Sequence, residues 1–180
     1  AVYSPALTDF IFQVKDIGQL YVTGPAVVKT VTGEDVSFEE LGGIEAHGTL
    51  SGVSHQICED EQQAFDEVRY LLSFLPQSAE QKPPAFITED DAEKNVDMLD
   101  TFIPENRNQP YDMNDIINNI VDDGEQYPIH ANYALNIITT IARINGNTIG
   151  IIANQPLEFA GVLDIDSSEK AARFVRFCDA

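Results

Sequence analysis

The chain has 180 residues, of which 43% are hydrophobic and 9% aromatic, a composition typical of a globular protein with its own core. Thirty acidic residues against ten basic ones give a net charge of −20, which disfavours nucleic acid and anionic membrane surfaces as partners. The two cysteines lie far apart and no apolar run reaches about 18 residues, so the sequence predicts neither a disulfide framework nor a membrane span. We expect a soluble, cytoplasmic protein.

The first part of the chain combines short strands with helices. Apolar runs predict strands at residues 9–14 and 19–23. A proline in the first turn and a glycine after the last turn predict a helix over residues 25–32. The capping box at residues 37–40 predicts a very short helix, and apolar residues at helical spacing predict a long amphipathic helix over residues 59–75.

Residues 77–110 lose this periodicity and contain four prolines among acids and amides. This composition predicts a solvated linker between two domains. The wider segment 59–125 has 18 acidic and four basic residues, and so contains −14 of the net charge of −20.

The last part of the chain predicts a helix, a hairpin and a second helix. Asp112 is placed to cap an amphipathic helix that ends at Gly124. Residues 137–144 and 148–153 flank an Asn-Gly pair, the strongest short-range hairpin signal, which predicts antiparallel strands joined by a type I′ turn. A capping box at residues 166–169 predicts the start of the final helix.

The loop between the hairpin and the final helix, residues 154–166, contains Gly161. One interpretation is a tight connection in which this glycine permits a positive φ. The other is a loop that presents backbone N–H groups and a helix N-terminus to an oxyanion or an anionic ligand. Spacing alone favours the first interpretation.

The sequence contains no self-contained acid, base, nucleophile or metal site. His47, His55 and His130 have no carboxylate or cysteine partner at metal-ligand spacing, so we expect structural or surface roles for them and no bound metal. No serine lies in a G-x-S-x-G setting. Any chemistry must therefore come from backbone dipoles, a cofactor, or parts of the protein outside this sequence.

Eight segments, spread over essentially the whole chain, nevertheless match one family in order. The chain resembles the carboxyltransferase (β) subunits of biotin-dependent acyl-CoA carboxylases, and it is most similar to propionyl-CoA carboxylase. The matching segments are residues 1–10, 22–25, 28–34, 38–43, 110–113, 120–125, 151–156 and 170–180.

The resemblance implies an α/β protein with the crotonase-like (ClpP/crotonase) fold of repeated ββα units. Residues 1–76 would form the second half of the N-domain, residues 77–110 the acidic, proline-containing interdomain linker, and residues 111–180 the start of the C-domain. The sequence would then be part of a longer chain, and we expect this part to be inactive alone.

The resemblance also implies a reaction in which a carboxyl group moves from carboxybiotin to the α-carbon of an acyl-CoA. In this family, two oxyanion holes made of backbone N–H groups stabilise the enolates, so no side-chain base is required. Of the first oxyanion loop only Ala1 is present, and the second would lie beyond Ala180.

Carried over by position, the implied site residues form two sets. The first set follows the oxyanion loop and would bind the acyl-CoA, and the second would face the cleft that biotin approaches. The acyl-CoA set is Tyr3, Ser4, Thr23, Gly24 and Pro25, and the biotin set is Asn154, Gln155, Pro156 and Gly161.

The implied partners are an acyl-CoA, a biotin carboxylase and biotin carrier α subunit, and further copies of the same chain, with a hexamer expected. The location would be the mitochondrial matrix in a eukaryote. A carboxyltransferase subunit of a methylmalonyl-CoA decarboxylase or a transcarboxylase shares these motifs and is an alternative. A more distant alternative is a non-enzymatic acidic interaction module around residues 59–125.

Overall fold

The computed structural model describes residues 2–91, 93–106 and 108–180 and divides into two compact units. The first unit contains Ala1–Arg69 and His130–Ala134, and the second contains Tyr70–Ile129 and Leu135–Ala180. The predicted division into domains at residues 77–110 stays a prediction.

The elements are α1 (Tyr3–Ala6), β1 (Phe12–Val14), α2 (Pro25–Thr32), α3 (Phe38–Gly42), a π-helical turn (Glu45–Leu50), β2 (Gln56–Cys58), α4 (Glu61–Phe74), α5 (Leu99–Phe102), α6 (Met113–Ile120), a 3₁₀ turn (Asp122–Gly124), β3 (Gln126–Pro128), β4 (Ile137–Ile144), β5 (Asn147–Asn154), a second 3₁₀ turn (Phe159–Gly161) and α7 (Ile165–Asp179).

In the first unit, β1 and β2 pair in parallel, with Phe12 opposite Gln56. The strand predicted at residues 19–23 is wrong, because this segment is held by other contacts. The Leu20 N–H donates to the Gly42 carbonyl at the end of α3, at 2.9 Å. The buried Gln13 amide also donates to Gly42 O (2.9 Å) and accepts from the Ser54 hydroxyl (2.5 Å). A side-chain network thus takes the place of a third strand.

Two helices of this unit, α2 and α3, begin and end where the local signals predict. α2 has Pro25 at its first position and ends at Gly33, whose φ of 81° is left-handed. α3 begins with the predicted capping box, in which Ser37 and Glu40 exchange hydrogen bonds. These hydrogen bonds from Ser37 lower the pKa of the Glu40 carboxyl.

Two of the three histidines are buried in the first unit and have structural contacts. The Ile11 N–H donates to His55 Nδ1 at 3.1 Å, and the His130 N–H donates to the His55 carbonyl at 3.0 Å. The two imidazole rings stack with centroids 4.1 Å apart. The pair therefore ties residues 130–134 to the rest of this unit.

The second unit is built on an antiparallel sheet in the order β3-β4-β5, with β4 in the centre. Its residues are buried on both faces, because α6 covers one face and α7 packs on the other. Ala142 of β4 packs against Ile117 of α6 and against Val121, which directly follows α6. On the other face, a Cβ atom at Gly150 would meet Phe174 and Cys178 of α7, so the glycine lets the helix approach the sheet.

The predicted hairpin is confirmed, and the turn has a long-range support that the sequence does not signal. Asn145 and Gly146 have φ values of 51° and 73°, as a type I′ turn requires. The buried Asp122 carboxylate accepts from both of their N–H groups, at 2.8 and 2.7 Å. A charged acceptor on two backbone donors fixes the turn more strongly than neutral partners would.

The segment 77–110 contributes side chains to the second unit. The Phe86 N–H donates to the Gly146 carbonyl at 2.9 Å. The guanidinium carbon of Arg143 lies 3.9 Å from the centroid of the Phe86 ring and also 3.9 Å from that of the Phe74 ring. The Asp90 carboxylate accepts from Lys94 at 2.7 Å, and this hydrogen bond lowers the pKa of Asp90. Residues of this acidic segment therefore make specific contacts in addition to facing solvent.

We expect Gly146→Ala to destabilise the second unit by at least about 2 kcal/mol. An added Cβ atom would lie 1.9 Å from the Phe86 carbonyl oxygen, so this backbone must shift, and the positive φ adds strain. Urea unfolding measures the effect. The matched control is Gly124→Ala, which has a similar φ of 68° but a nearest neighbour at 3.2 Å. Equal costs for the two variants would show that the contact with Phe86 contributes nothing.

Candidate functional site

The loop 154–164 joins the hairpin to α7 in the second unit. β5 ends at Asn154, which lies opposite Ile137 at the start of β4. α7 begins two residues earlier than predicted, because Asp164 and Ser167 form its capping box in place of residues 166–169. The hydrogen bonds from Ser167 lower the pKa of the Asp164 carboxyl.

The centre of this loop is a left-handed turn. Phe159, Ala160 and Gly161 have φ values of 47°, 54° and 68°. The Gly161 conformation agrees with the sequence interpretation of a positive φ, but the two preceding residues have side chains that disfavour it by about 1–2 kcal/mol each. The Phe159 side chain is 78% exposed at this turn. The loop therefore presents an apolar residue from a strained backbone.

The polar residues of the predicted biotin set fix the two ends of the loop. Asn154 is exposed, and its amide donates to the Gly161 carbonyl at 2.5 Å, which closes the loop. Gln155 is buried, and its Oε1 accepts from the Met113 N–H at 3.2 Å while its Nε2 donates to Asp112 at 2.7 Å. Gln155 therefore joins the loop to the first turn of α6.

Asp112 is the capping residue of α6, as predicted, and its carboxylate accepts from the Asn114 N–H at 2.8 Å. Burial raises the pKa of this carboxyl, but the hydrogen bonds from Gln155 and Asn114 outweigh burial, and the pKa is lowered. Because the Asp112–Gln155 contact connects α6 to the loop, Gln155 has a structural role whatever else it binds.

Two functional candidates were missed by sequence reasoning. Asn136 is 2% exposed and its side chain donates to the Val162 carbonyl of the loop, and Lys170 is 4% exposed and contacts the backbone at the start of β4. Lys170 Nζ donates to the Ile137 carbonyl at 2.8 Å, directly behind the point where the loop leaves the sheet. The signal for Lys170 was available, because it lies four residues before Phe174 on the inward face of the predicted helix.

The predicted acyl-CoA set lies in the first unit, on two short elements. Tyr3 and Ser4 begin α1 and are exposed, and Gly24 is the N-terminal cap of α2, with Pro25 following it. In the part of the chain that the structure describes, no hydrogen bond joins Tyr3 or Ser4 to residues 23–25. Ala1, the predicted remnant of the oxyanion loop, lies outside the described residues.

Within the described ranges, no three His, Cys, Asp or Glu side chains are grouped as a metal site would require. Likewise, no helix among these residues has the length and apolar character needed to cross a membrane.

We expect Lys170 to make the stability of the second unit rise with pH. Burial lowers the pKa of Lys170 from 10.5 to about 8, so between pH 8 and pH 10.5 the unfolded chain binds more protons than the folded one. The free energy of unfolding then increases through this window by an amount on the order of 2–3 kcal/mol. Urea unfolding at pH 7 and pH 10 measures the increase.

In this experiment, Lys170→Met should remove the increase, whereas the control Lys82→Met, which removes an exposed lysine of the same unit, should keep it. An unchanged pH dependence in Lys170→Met would contradict the assignment.

Comparison with known proteins connects this geometry to a family. A family model described as the carboxyl transferase domain matches residues 1–180. The propionyl-CoA carboxylase beta chain of Roseobacter denitrificans is 54% identical over 180 residues, which cover 100% of this chain and 35% of that protein. The methylmalonyl-CoA decarboxylase subunit alpha of Veillonella parvula is 52% identical, again with 100% and 35% covered. The mitochondrial propionyl-CoA carboxylase beta chain of Homo sapiens is 51% identical, with 100% and 33% covered.

The solved structures agree with the sequence comparison. The crystal structure of transcarboxylase 12S with methylmalonyl-coenzyme A and methylmalonic acid bound matches with a TM-score of 0.94 and 46% identity, over 98% of this chain and 34% of that one. The predicted crotonase-like α/β fold is thereby confirmed. The chain spans about a third of the length of the curated relatives it matches. With the family model covering every residue from 1 to 180, the chain belongs to the carboxyl transferase domain family.

Proposed function

We propose that the protein to which this chain belongs transfers a carboxyl group from carboxybiotin to the α-carbon of an acyl-CoA, converting propionyl-CoA to methylmalonyl-CoA. The observation that supports this most is the match over the whole chain, at about half identity, to propionyl-CoA carboxylase beta chains. A carboxyltransferase subunit of a methylmalonyl-CoA decarboxylase is the second candidate, because such a subunit is 52% identical over the same residues.

The proposal assigns the acyl-CoA to the first unit. Ala1, as the remnant of the oxyanion loop, precedes Tyr3 and Ser4, whose side chains are exposed at the start of α1. Thr23, Gly24 and Pro25 would line the same pocket. At Gly24 a Cβ atom would meet nothing within 4 Å, so this backbone is open to a ligand.

The proposal assigns biotin to the loop 154–164. This loop offers apolar contacts to the ring system of biotin, because Leu157 and Phe159 are exposed, and Glu158 is its one charged residue before Asp164. Asn154 and Gly161 close the loop, Gln155 holds its entry, and Pro156 would follow it at the face that biotin approaches. When bound, biotin supplies the carboxyl group in the form of carboxybiotin. This chain would orient the ring and exclude water from it.

The proposed partners are a biotin-carrying α subunit and further copies of the same subunit. The transcarboxylase 12S structure is described as a hexamer with a multienzyme core, and we extend this hexamer to the present protein. The 180 residues of this chain would be inactive alone, and the mitochondrial location of the human relative suggests the matrix for a eukaryotic form.

The function is tested with the full-length subunit and its biotinylated partner. We expect carboxylation of propionyl-CoA that depends on ATP and bicarbonate. Decarboxylation of methylmalonyl-CoA without carboxylation of propionyl-CoA would favour the second candidate. If the complex assembles and neither reaction occurs, the proposed function is wrong.

The acyl-CoA assignment is tested with Gly24→Ala in the same complex. Gly24 has a φ of −79°, and the added methyl group enters open space, so the variant should lose at most about 1 kcal/mol of stability. If Gly24 lines the pocket, the KM for propionyl-CoA should rise about tenfold while the KM for the biotinylated carrier stays constant. An unchanged KM for propionyl-CoA would remove Gly24 from the site.

A further inference from the structure

We propose that Asn136 is a positioning residue that holds the loop 154–164 in the shape needed to bind the biotin donor. The inference rests on the proposed function, because it takes this loop as the biotin side of the site. Asn136 precedes β4 and is outside both predicted sets of site residues.

The left-handed turn in this loop is strained. Phe159 and Ala160 have φ values of 47° and 54°, a backbone conformation that their side chains disfavour. Inside the turn, the Gly161 N–H donates to the Glu158 carbonyl at 2.8 Å and the Val162 N–H donates to the Phe159 carbonyl at 3.1 Å. The Asn154 amide also donates to the Gly161 carbonyl (2.5 Å) and the Glu158 N–H to the Gln155 carbonyl (3.1 Å), and these four hydrogen bonds within the loop offset this strain. Contacts from outside the loop add to this balance.

Asn136 provides these contacts at both ends of the loop. Its backbone carbonyl accepts from the Gln155 N–H at 2.9 Å, where the chain leaves β5. Its side-chain amide donates to the Val162 carbonyl at 2.7 Å, directly after the left-handed turn. The same amide contributes to the lowered pKa of Asp164, after the larger contribution of Ser167. One buried residue thus fixes the entry to the loop, its exit and the start of α7.

The amide donor is the essential part of this arrangement. At 2% exposure, the Asn136 amide has little access to water, and its hydrogen bond holds the carbonyl of Val162, a residue that is itself 65% exposed, beside the start of β4. Without this donor the Val162 carbonyl would turn to solvent, which would relax the turn and displace Phe159. A displacement of about 1 Å at a binding loop is enough to change rates by up to about 100-fold.

The experiment compares three variants of the full-length subunit in its complex with the biotinylated partner. Asn136→Asp keeps the shape and replaces the donor by an acceptor, beside Asp164 and facing the Val162 carbonyl. Asn136→Ser has no charge, and its side chain is too short to reach Val162. This variant tests the same hydrogen bond if Asn136→Asp does not fold. The control is Thr139→Val, which lies in β4 three residues after Asn136 and removes a buried hydrogen bond of 2.8 Å to the Ile129 carbonyl, away from the loop.

The first measurement is hydrogen exchange of the amides of residues 157–163. Both Asn136 variants should accelerate it at least about tenfold relative to Thr139→Val, because the loop opens without unfolding the sheet. The second measurement is steady-state kinetics. The KM for the biotinylated carrier should rise about tenfold in the Asn136 variants, with the KM for the acyl-CoA unchanged.

Equal exchange in all three variants would show that Asn136 does not order the loop and would overturn the proposal. Faster exchange with an unchanged KM for the carrier would also overturn it, because the loop would then not serve the biotin donor. A wild-type complex without carboxyl transfer would contradict the proposed function itself, and the exchange measurement would still decide whether Asn136 orders the loop.

Discussion

Strand β4 depends on buried polar groups that hold the backbone at both of its ends. At the start, Asn136 and Lys170 contact the backbone of the loop and of Ile137. At the other end, the Asp122 carboxylate binds both N–H groups of the hairpin turn. An unpartnered buried polar group costs about 1–3 kcal/mol. A change in the register of β4 would break these hydrogen bonds and is therefore unfavourable. Because β4 pairs with a strand on each side, a slip at either end would displace the whole sheet.

The structure confirms several elements that were predicted from short-range signals. α2, α3 and the hairpin are specified by a proline, a capping box and an Asn-Gly pair, whose effects act within a few residues. The strand predicted at 19–23 failed because the Leu20 N–H donates to the Gly42 carbonyl at the end of α3, a long-range contact that no local pattern signals. The start of α7 was misplaced because residues 164–167 and 166–169 both fit a capping box, and long-range contact with Asn136 favours the first.

The candidate site was less predictable for a chemical reason. The proposed carboxyl transfer would rely on backbone N–H groups and so would need no characteristic acid, base or nucleophile that composition and spacing could reveal. The sets around Gly24 and Asn154 were available only from resemblance to a family. Gln155 illustrates the limit of such transfer, because its burial and its hydrogen bond to Asp112 give it a structural role that the motif does not reveal.

The loop after β5 is where local preference and tertiary structure disagree most. The sequence signals one residue with a positive φ, Gly161, whereas the structure imposes that conformation on Phe159 and Ala160 as well. Residues held against their own preference persist only when distant contacts determine their shape, and such strain is concentrated at functional sites. Here the distant contact is Asn136, which is more than 20 residues away in sequence. The strain and its buried support together distinguish this loop from a connection that needs only a glycine.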